Sequence, residues 1–415
     1  MVFSSEQDLQ IKRTSSAFMW TRLLNTPFWA LYCMLPFFLY KDMHATPLQV
    51  TLVVALKPLV SLISLYWSAR INRRRDRLIS NLIWAGVLGH LPFFFFPFFE
   101  NTWFFIIAFG IYSMLNRGVI PAWMEILKIN IREKHRERVF AYGAACGYLG
   151  SALFPVLMGW ILDDYVQSWR WLFPLSAFIS LLSVFFQVRI PIAIRMEEMV
   201  PESRSFSLSH EILEPWRKAW KLINERPDFG RFQIGFMIGG FGLMVMQPAL
   251  PNFFVNSLNL SYTELAIALT VCKGVGFAVT SQFWAKWMNR VDIYFFSSWV
   301  TGIACLFPIF LAFAQSQLVW LYIAYLSYGI MQAGSELSWN LSGPIFAKDE
   351  DSSLFSSVNV LTVGLRGCVA PALGGILGLF SSSLTVILLG AVICAISSVR
   401  MFTYSQQLKR QPVNN

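Results

Sequence analysis

The sequence predicts an all-α membrane protein. Its twelve transmembrane helices form two pseudo-symmetric six-helix halves, with both termini in the cytoplasm. Three observations predict this: the composition, the spacing of apolar runs, and an internal repeat. Of 415 residues, 56% are hydrophobic and 13% charged, and the mean hydropathy is +0.53. A soluble domain carries about 25% charged residues. This chain has too few charges to cover a water-facing surface, so lipid is the expected solvent. A soluble enzyme, a disordered chain and a disulfide-rich secreted domain are excluded on the same ground.

A helix needs about 20 mostly apolar residues to cross the hydrocarbon core. Stretches of that kind fall at 17–40, 46–68, 78–99, 103–124, 139–162 and 171–191. A second set falls at 233–256, 262–285, 293–315, 318–342, 354–380 and 383–404. None alternates like a strand, and an open sheet cannot satisfy its backbone in lipid, so all twelve are expected to be helices. Residues 1–16 are polar and the first apolar run lacks a small-residue cleavage site, so no cleavable signal peptide is expected.

Charge sets the orientation. The chain has 33 Lys+Arg against 23 Asp+Glu, a net +10. With the N-terminus inside and alternating spans, only Lys41 and Arg170 face outward, while Arg22, Lys57, Arg117, Lys273 and Arg366 lie within spans. Every other Lys and Arg is then cytoplasmic, which is the positive-inside pattern. The basic excess is topological, and no nucleic-acid partner is expected. The six cysteines lie in apolar stretches without a CxxC pair and read as small packing residues.

The halves repeat at an offset of 216. Lys57 matches Lys273; Ala69, Arg74 and Asp76 match Ala285, Arg290 and Asp292; Tyr112, Gly118 and Trp123 match Tyr328, Gly334 and Trp339. Pro155, Leu157 and Gly159 match Pro371, Leu373 and Gly375. Shared Trp, Pro, Gly and intramembrane Lys in one register are harder to obtain by chance than shared Leu. Six spans return the chain to the same side, so the repeat is parallel. The expected organisation is residues 1–190, a cytoplasmic loop 191–231, and residues 232–415. In that loop Trp216, Trp220 and Ile223 share helical spacing with Lys218 and Lys221 off the stripe, which predicts a short interfacial helix over 215–223.

This layout resembles the major facilitator superfamily across nearly the whole chain. The short basic loop Ala69-Arg70-Ile71-Asn72-Arg73-Arg74-Arg75-Asp76-Arg77 and its echo Ala285–Asp292 resemble that family's basic loop in place and charge. Arg117 resembles its membrane-embedded arginine. The resemblance implies a secondary transporter in a bacterial cytoplasmic membrane, working as a monomer by alternating access. It implies a cytoplasmic gate of Arg70, Arg73, Arg74, Asp76, Glu125, Lys286, Arg290 and Asp292.

A charge inside a span is costly and defaults to function. Lys57 lies roughly 17 Å into its span, near the midplane, and Lys273 is equally deep. Lys57, Ser61, Ser64 and Ser68 share one face, and so do Gln332, Glu336 and Asn340. Arg366 lies roughly 20 Å from the cytoplasmic start of its span. Lys57, Arg117, Lys273, Gln332, Glu336, Asn340 and Arg366 are therefore the candidate cavity residues. Five cations cannot all be neutralised by one deep acid, which favours an electropositive cavity and a small anionic solute. The bland alternative is a packing salt bridge of Glu336 with Arg366 or Lys273. Glu336 is the first candidate for a coupling proton, because burial raises a carboxylate pKa. His90 is the second, against a packing role.

Other readings stay open. The aromatic wealth, Phe93-Phe94-Phe95-Phe96 included, fits proton-coupled efflux of amphipathic compounds, but lipid-facing or packing Phe explains that run more cheaply. A non-transporting sensor and a membrane-embedded enzyme are the rivals of another class. His44, His90, His135 and His210 are scattered, and no metal or cofactor site is expected. External Asp163-Asp164 fits a cation site or, better, a helix cap. The run Gly235–Gly240 follows no strand and is not a nucleotide loop. It is expected, with Gly143, Gly147 and Gly150, to let helices pack closely.

Overall fold

The computed structural model describes residues 2–73, 77–131, 133–165, 167–191, 208–347 and 352–410. All described secondary structure is helical. The helices are α1 (Val2–Leu24), α2 (Thr26–Lys41), α3 (Pro47–Arg73), α4 (Leu78–His90), α5 (Thr102–Asn130), α6 (Glu133–Asp164), α7 (Trp169–Leu181) and α8 (Val184–Gln187). There follow α9 (Leu208–Glu225), α10 (Pro227–Val245), α11 (Ala249–Asn252), α12 (Tyr262–Ala266), α13 (Lys273–Met288), α14 (Ile293–Phe313), α15 (Val319–Ala347), α16 (Ser352–Phe380) and α17 (Ser383–Arg410). Among the described residues, nine helical stretches are long and apolar enough to cross a membrane.

Two compact units form. The first comprises Met1–Met43, Val60–Arg204 and Ser261–Ala266; the second comprises His44–Leu59, Ser205–Leu260 and Ile267–Asn415. The start of α3 thus packs with the second unit, and α12 packs with the first. The sequence halves do not anticipate either exchange.

The first unit has an aromatic core. A 3₁₀ run, Leu91–Phe98, contains Pro92 and Pro97 and continues α4. At three residues per turn, positions i and i+3 eclipse. Phe93 and Phe96 therefore share one face and are fully buried, while Phe95 and Phe98 share the other and are exposed. The buried pair packs on Phe173, and Phe96 packs edge-on against Phe105 at 4.4 Å. At the other end of this unit, Phe18 and Trp123 meet edge to face within a cluster that includes Leu82, Ile126 and Ile190.

Asp163, near the end of α6, caps the start of α12. Its carboxylate accepts from the Tyr262 and Thr263 amides, both at 2.8 Å, and from the Thr263 hydroxyl at 2.7 Å. The Tyr262 hydroxyl donates to Asp42 at 2.9 Å, and Lys41 lies 4.7 Å from the Tyr262 ring. A side chain at Gly159 would meet the Tyr262 carbonyl at 2.9 Å, so only glycine admits this approach.

In the second unit, Gly235, Gly239 and Gly242 line one face of α10. Ser397 of α17 donates to the Gly235 carbonyl at 2.7 Å, and the Cys394 thiol meets the Gly239 carbonyl at 3.3 Å. A buried chain of Gln233, Asn359 and Ser342 ties α10, α15 and α16. The expected close packing holds for Gly143 and Gly150, against Phe18 and Thr26, whereas a Cβ at Gly147 would meet nothing within 4 Å.

α9 is longer than the expected 215–223, and its buried residues include Ala219 and Leu222. Trp216 and Ile223 are half-buried, but Trp220 is 70% exposed. Trp220 follows Ala219 by one residue, about 100° round the helix, which carries it off the packed face.

Candidate functional site

Arg366 projects from α16 into the second unit. Its Nη1 donates to the Phe236 carbonyl at 3.4 Å and approaches the Met237 sulfur at 3.8 Å. Its Nε is buried without a hydrogen-bond partner. Among the described residues no carboxylate pairs with it. An added Cβ at Gly240 would overlap the guanidinium, so α10 carries glycine where Arg366 lies.

Tyr328 of α15 links this arginine to Lys273. The Lys273 ammonium lies 5.8 Å from the Tyr328 ring centre, within cation–π range, and Arg366 is within electrostatic reach of the same side chain. Phe307 packs on the Tyr328 ring at 4.9 Å. Close helix approach fixes these positions: a Cβ at Gly329 would strike the Lys273 carbonyl, and one at Gly276 the Leu326 carbonyl. Sequence reasoning used Tyr328 only as the repeat mate of Tyr112. The missed signal was local, since Tyr328 precedes Gln332, Glu336 and Asn340 at the same i+4 spacing.

Gln332 donates to Glu336 at 3.3 Å. Glu336 and Asn340 are exposed and Gln332 is half-buried, so the burial expected of Glu336 as a proton carrier is not found. Glu336 forms no ion pair with Arg366, so the packing salt bridge between them is absent. Lys57 is half-buried on α3. Its neighbour Pro58 packs where Gly367, next to Arg366, admits it. The structure thus assigns Lys57, Lys273, Gln332, Glu336, Asn340 and Arg366 to one unit. The side chains of Ser61, Ser64 and Ser68 lie outside the described residues.

Arg117 and His90 belong to the first unit. Arg117 is half-buried on α5, within electrostatic reach of Tyr32. Tyr32 and Ser113 share a 2.5 Å hydrogen bond, and Asn25 takes a bond from Ser180 at 2.8 Å. His90 is 6% exposed. Its Nδ1 bonds the Gly86 carbonyl at 2.7 Å, and its ring packs on Phe28 and Tyr112. Arg22 is exposed at the end of α1, 5.2 Å from the Phe18 ring.

Of the expected gate, the side chains of Arg70 and Arg73, and all of Arg74 and Asp76, lie outside the described residues. Glu125 is half-buried, and Lys286 and Arg290 are exposed. Asp292 caps α14, accepting from the Phe295 amide at 2.8 Å and from Ser405 at 2.7 Å. Among the described residues, no group of three His, Cys, Asp or Glu is placed to hold a metal.

These features describe a multi-pass helical membrane protein with half-buried cations on its apolar helices. The chain belongs to the Major Facilitator Superfamily, whose pattern it matches over residues 23–365. No curated protein matches it by sequence. Its fold is similar to that of a POT family transporter in complex with 5-aminolevulinic acid, with TM-score 0.73, 12% identity and 96% of each chain covered. It is also similar to nucleoside transporter NupG, at TM-score 0.68 and 13% identity, over 96% of this chain and 100% of that one. A peptide transporter POT in complex with sulfate gives 0.71 and 12%, over 97% and 95%. These likenesses concern the fold. Membrane transport of a solute follows from the family.

Proposed function

We propose that this protein is a secondary transporter that moves a small organic anion by alternating access, with proton coupling through Glu336. The observation that carries the reading is Arg366, a cation set against Gly240 with a buried, unpartnered Nε and no carboxylate beside it among the described residues. An unpaired buried charge is strongly unfavourable. A substrate carboxylate or phosphate would relieve it through charge-assisted hydrogen bonds. Tyr328 and Lys273 extend the same electropositive region. The exposed Glu336, bonded to Gln332, is accessible to protons, whereas His90 is enclosed by aromatic rings and is left out of the proton path.

In this reading twelve spans cross a cytoplasmic membrane with both termini inside. The halves related by the 216-residue offset rock about the site, and the basic loops close the cytoplasmic side. Efflux of amphipathic compounds has less support, because Phe93 and Phe96 are spent on core packing. The similar structures are a complex with 5-aminolevulinic acid, a nucleoside transporter and a peptide transporter, so the fold alone does not choose among substrates.

The test is thermal stabilisation of the purified protein by a panel of anionic, neutral and cationic metabolites. Organic anions are expected to raise the melting temperature, and Arg366→Ala is expected to abolish the shift. Stabilisation confined to lipophilic cations, or an anion shift unchanged in Arg366→Ala, would reject the reading. Flux of the hit into reconstituted vesicles separates a carrier from a sensor.

A further inference from the structure

A second site lies where α13, α14, α15 and α17 end together. A cavity of about 440 Å³ there is walled by Met288, Leu341, Pro344, Ile345 and Leu408. A second, of about 360 Å³, is lined by Arg290, Phe295 and Lys409. Val291, Asp292 and Leu408 line both, so the two form one groove with an apolar arm and a basic arm.

The polar groups of the groove differ in how they are satisfied. Both oxygens of Asp292 already accept bonds from the chain. The Tyr294 hydroxyl is spent on the Asp228 carbonyl at 2.6 Å. Arg290 and Lys409 are exposed, and among the described residues neither meets a carboxylate. Lys409 rests on the Phe295 ring, at 5.1 Å. The lysines of α9 are different, since Lys218 pairs with Glu214 at 2.7 Å and Lys221 with Glu225 at 3.6 Å.

The apolar arm is open, with Leu341, Ile345 and Leu408 each more than two-fifths exposed. From the basic arm, Phe295 packs on Phe402 of α17 at 6.1 Å, and Phe402, Val399 and Ile396 form a separate exposed apolar strip along this membrane-spanning helix. Unpaired cations at a helix end, followed by an exposed apolar face leading into the bilayer, match one kind of ligand. We propose that this groove binds an anionic phospholipid. Its phosphate lies between Arg290 and Lys409, one acyl chain lies in the apolar arm beside Leu341, Ile345 and Leu408, and the other lies along Phe402, Val399 and Ile396 of α17. Headgroup attraction to basic side chains at the surface supplies the selectivity, and the apolar wall supplies the depth.

The full-length protein in detergent tests this, with phosphatidylglycerol, phosphatidylcholine and inorganic phosphate as probes and melting temperature as readout. Phosphatidylglycerol is expected to give the largest upward shift. R290Q/K409Q is expected to lose most of it, and K218Q/K221Q is expected to keep it. L341W, which fills the apolar arm and leaves both cations in place, is expected to reduce the shift as well. If R290Q/K409Q does not fold, L341W decides: a full phosphatidylglycerol shift in that variant overturns the proposal. An equal shift from phosphatidylcholine would also overturn it. So would an equal shift from inorganic phosphate, or a phosphatidylglycerol shift untouched in R290Q/K409Q.

Discussion

Gly240→Ala isolates what Arg366 does. The new Cβ would overlap Nη1 and Cζ of the guanidinium and lie 2.7 Å from Nη2. Ordinary contact between such atoms is about 3.5 Å, so the guanidinium must withdraw by roughly 1 Å or more. A hydrogen bond to a charged group contributes about 1.5–3 kcal/mol and is lost when its geometry fails. At about 1.4 kcal/mol per tenfold, the affinity for an organic anion should fall roughly 10- to 100-fold. The same loss is expected in Arg366→Ala. The informative sample is the double variant. If Gly240 matters because it seats Arg366, Gly240→Ala in the Arg366→Ala background should change anion affinity by less than about twofold, a strong non-additivity. Calorimetric titration of the best anion from the thermal panel measures all four proteins. Wild-type affinity in Gly240→Ala would refute the reasoning, and so would losses that multiply in the double variant.

Two further outcomes follow from the geometry. Glu336→Gln should abolish pH-driven accumulation in vesicles while leaving anion exchange intact, and unaltered coupling in that variant would remove Glu336 from the proton path. Asp163→Ala removes the acceptor of three bonds at the start of α12; after discounting for exposure, a lost cap is worth about 1–2 kcal/mol. At roughly 2–4 °C per kcal/mol for a body of this size, the melting temperature should drop by about 4 °C, and no drop would mean that the cap is redundant.

The helices were legible because lipid imposes a length and a composition on each span, and those are properties of a one-dimensional pattern. Each of the twelve apolar stretches falls almost wholly on helical or tightly turned chain in the structure. The cations of the second unit were legible for a related reason: a charge in an apolar run stands out. What surrounds each of them was not legible. Glu336 and Arg366 were natural partners in sequence, yet Glu336 bonds Gln332 and Arg366 bonds backbone and sulfur. Packing decides which face of α16 meets which face of α15, and no spacing rule contains that information. Tyr328 was hidden because an aromatic residue in a span reads as packing. The Phe93–Phe96 run, expected to face lipid or to pack, does both; which ring does which was not legible, since a 3₁₀ turn sorts these rings by threes rather than by the helical period. Trp220 of α9 missed its expected face by one residue's rotation. The exchange of residues 44–59 and 261–266 between the units is a property of tertiary packing and leaves no local trace.

Lys273 stands directly after a π turn, Ile267–Cys272. Such a turn holds one more residue than an α-helical turn and is common at functional positions. At about 100° per residue, that surplus changes the phase of everything after it. Lys57, its mate at the 216-residue offset, stands on the uninterrupted helix α3. The two lysines therefore occupy matching places in the chain without matching azimuths. A single-residue phase change of this kind re-aims a side chain without replacing it. Excising one residue from the turn would swing the ammonium away from Tyr328 while every side chain of the site kept its identity.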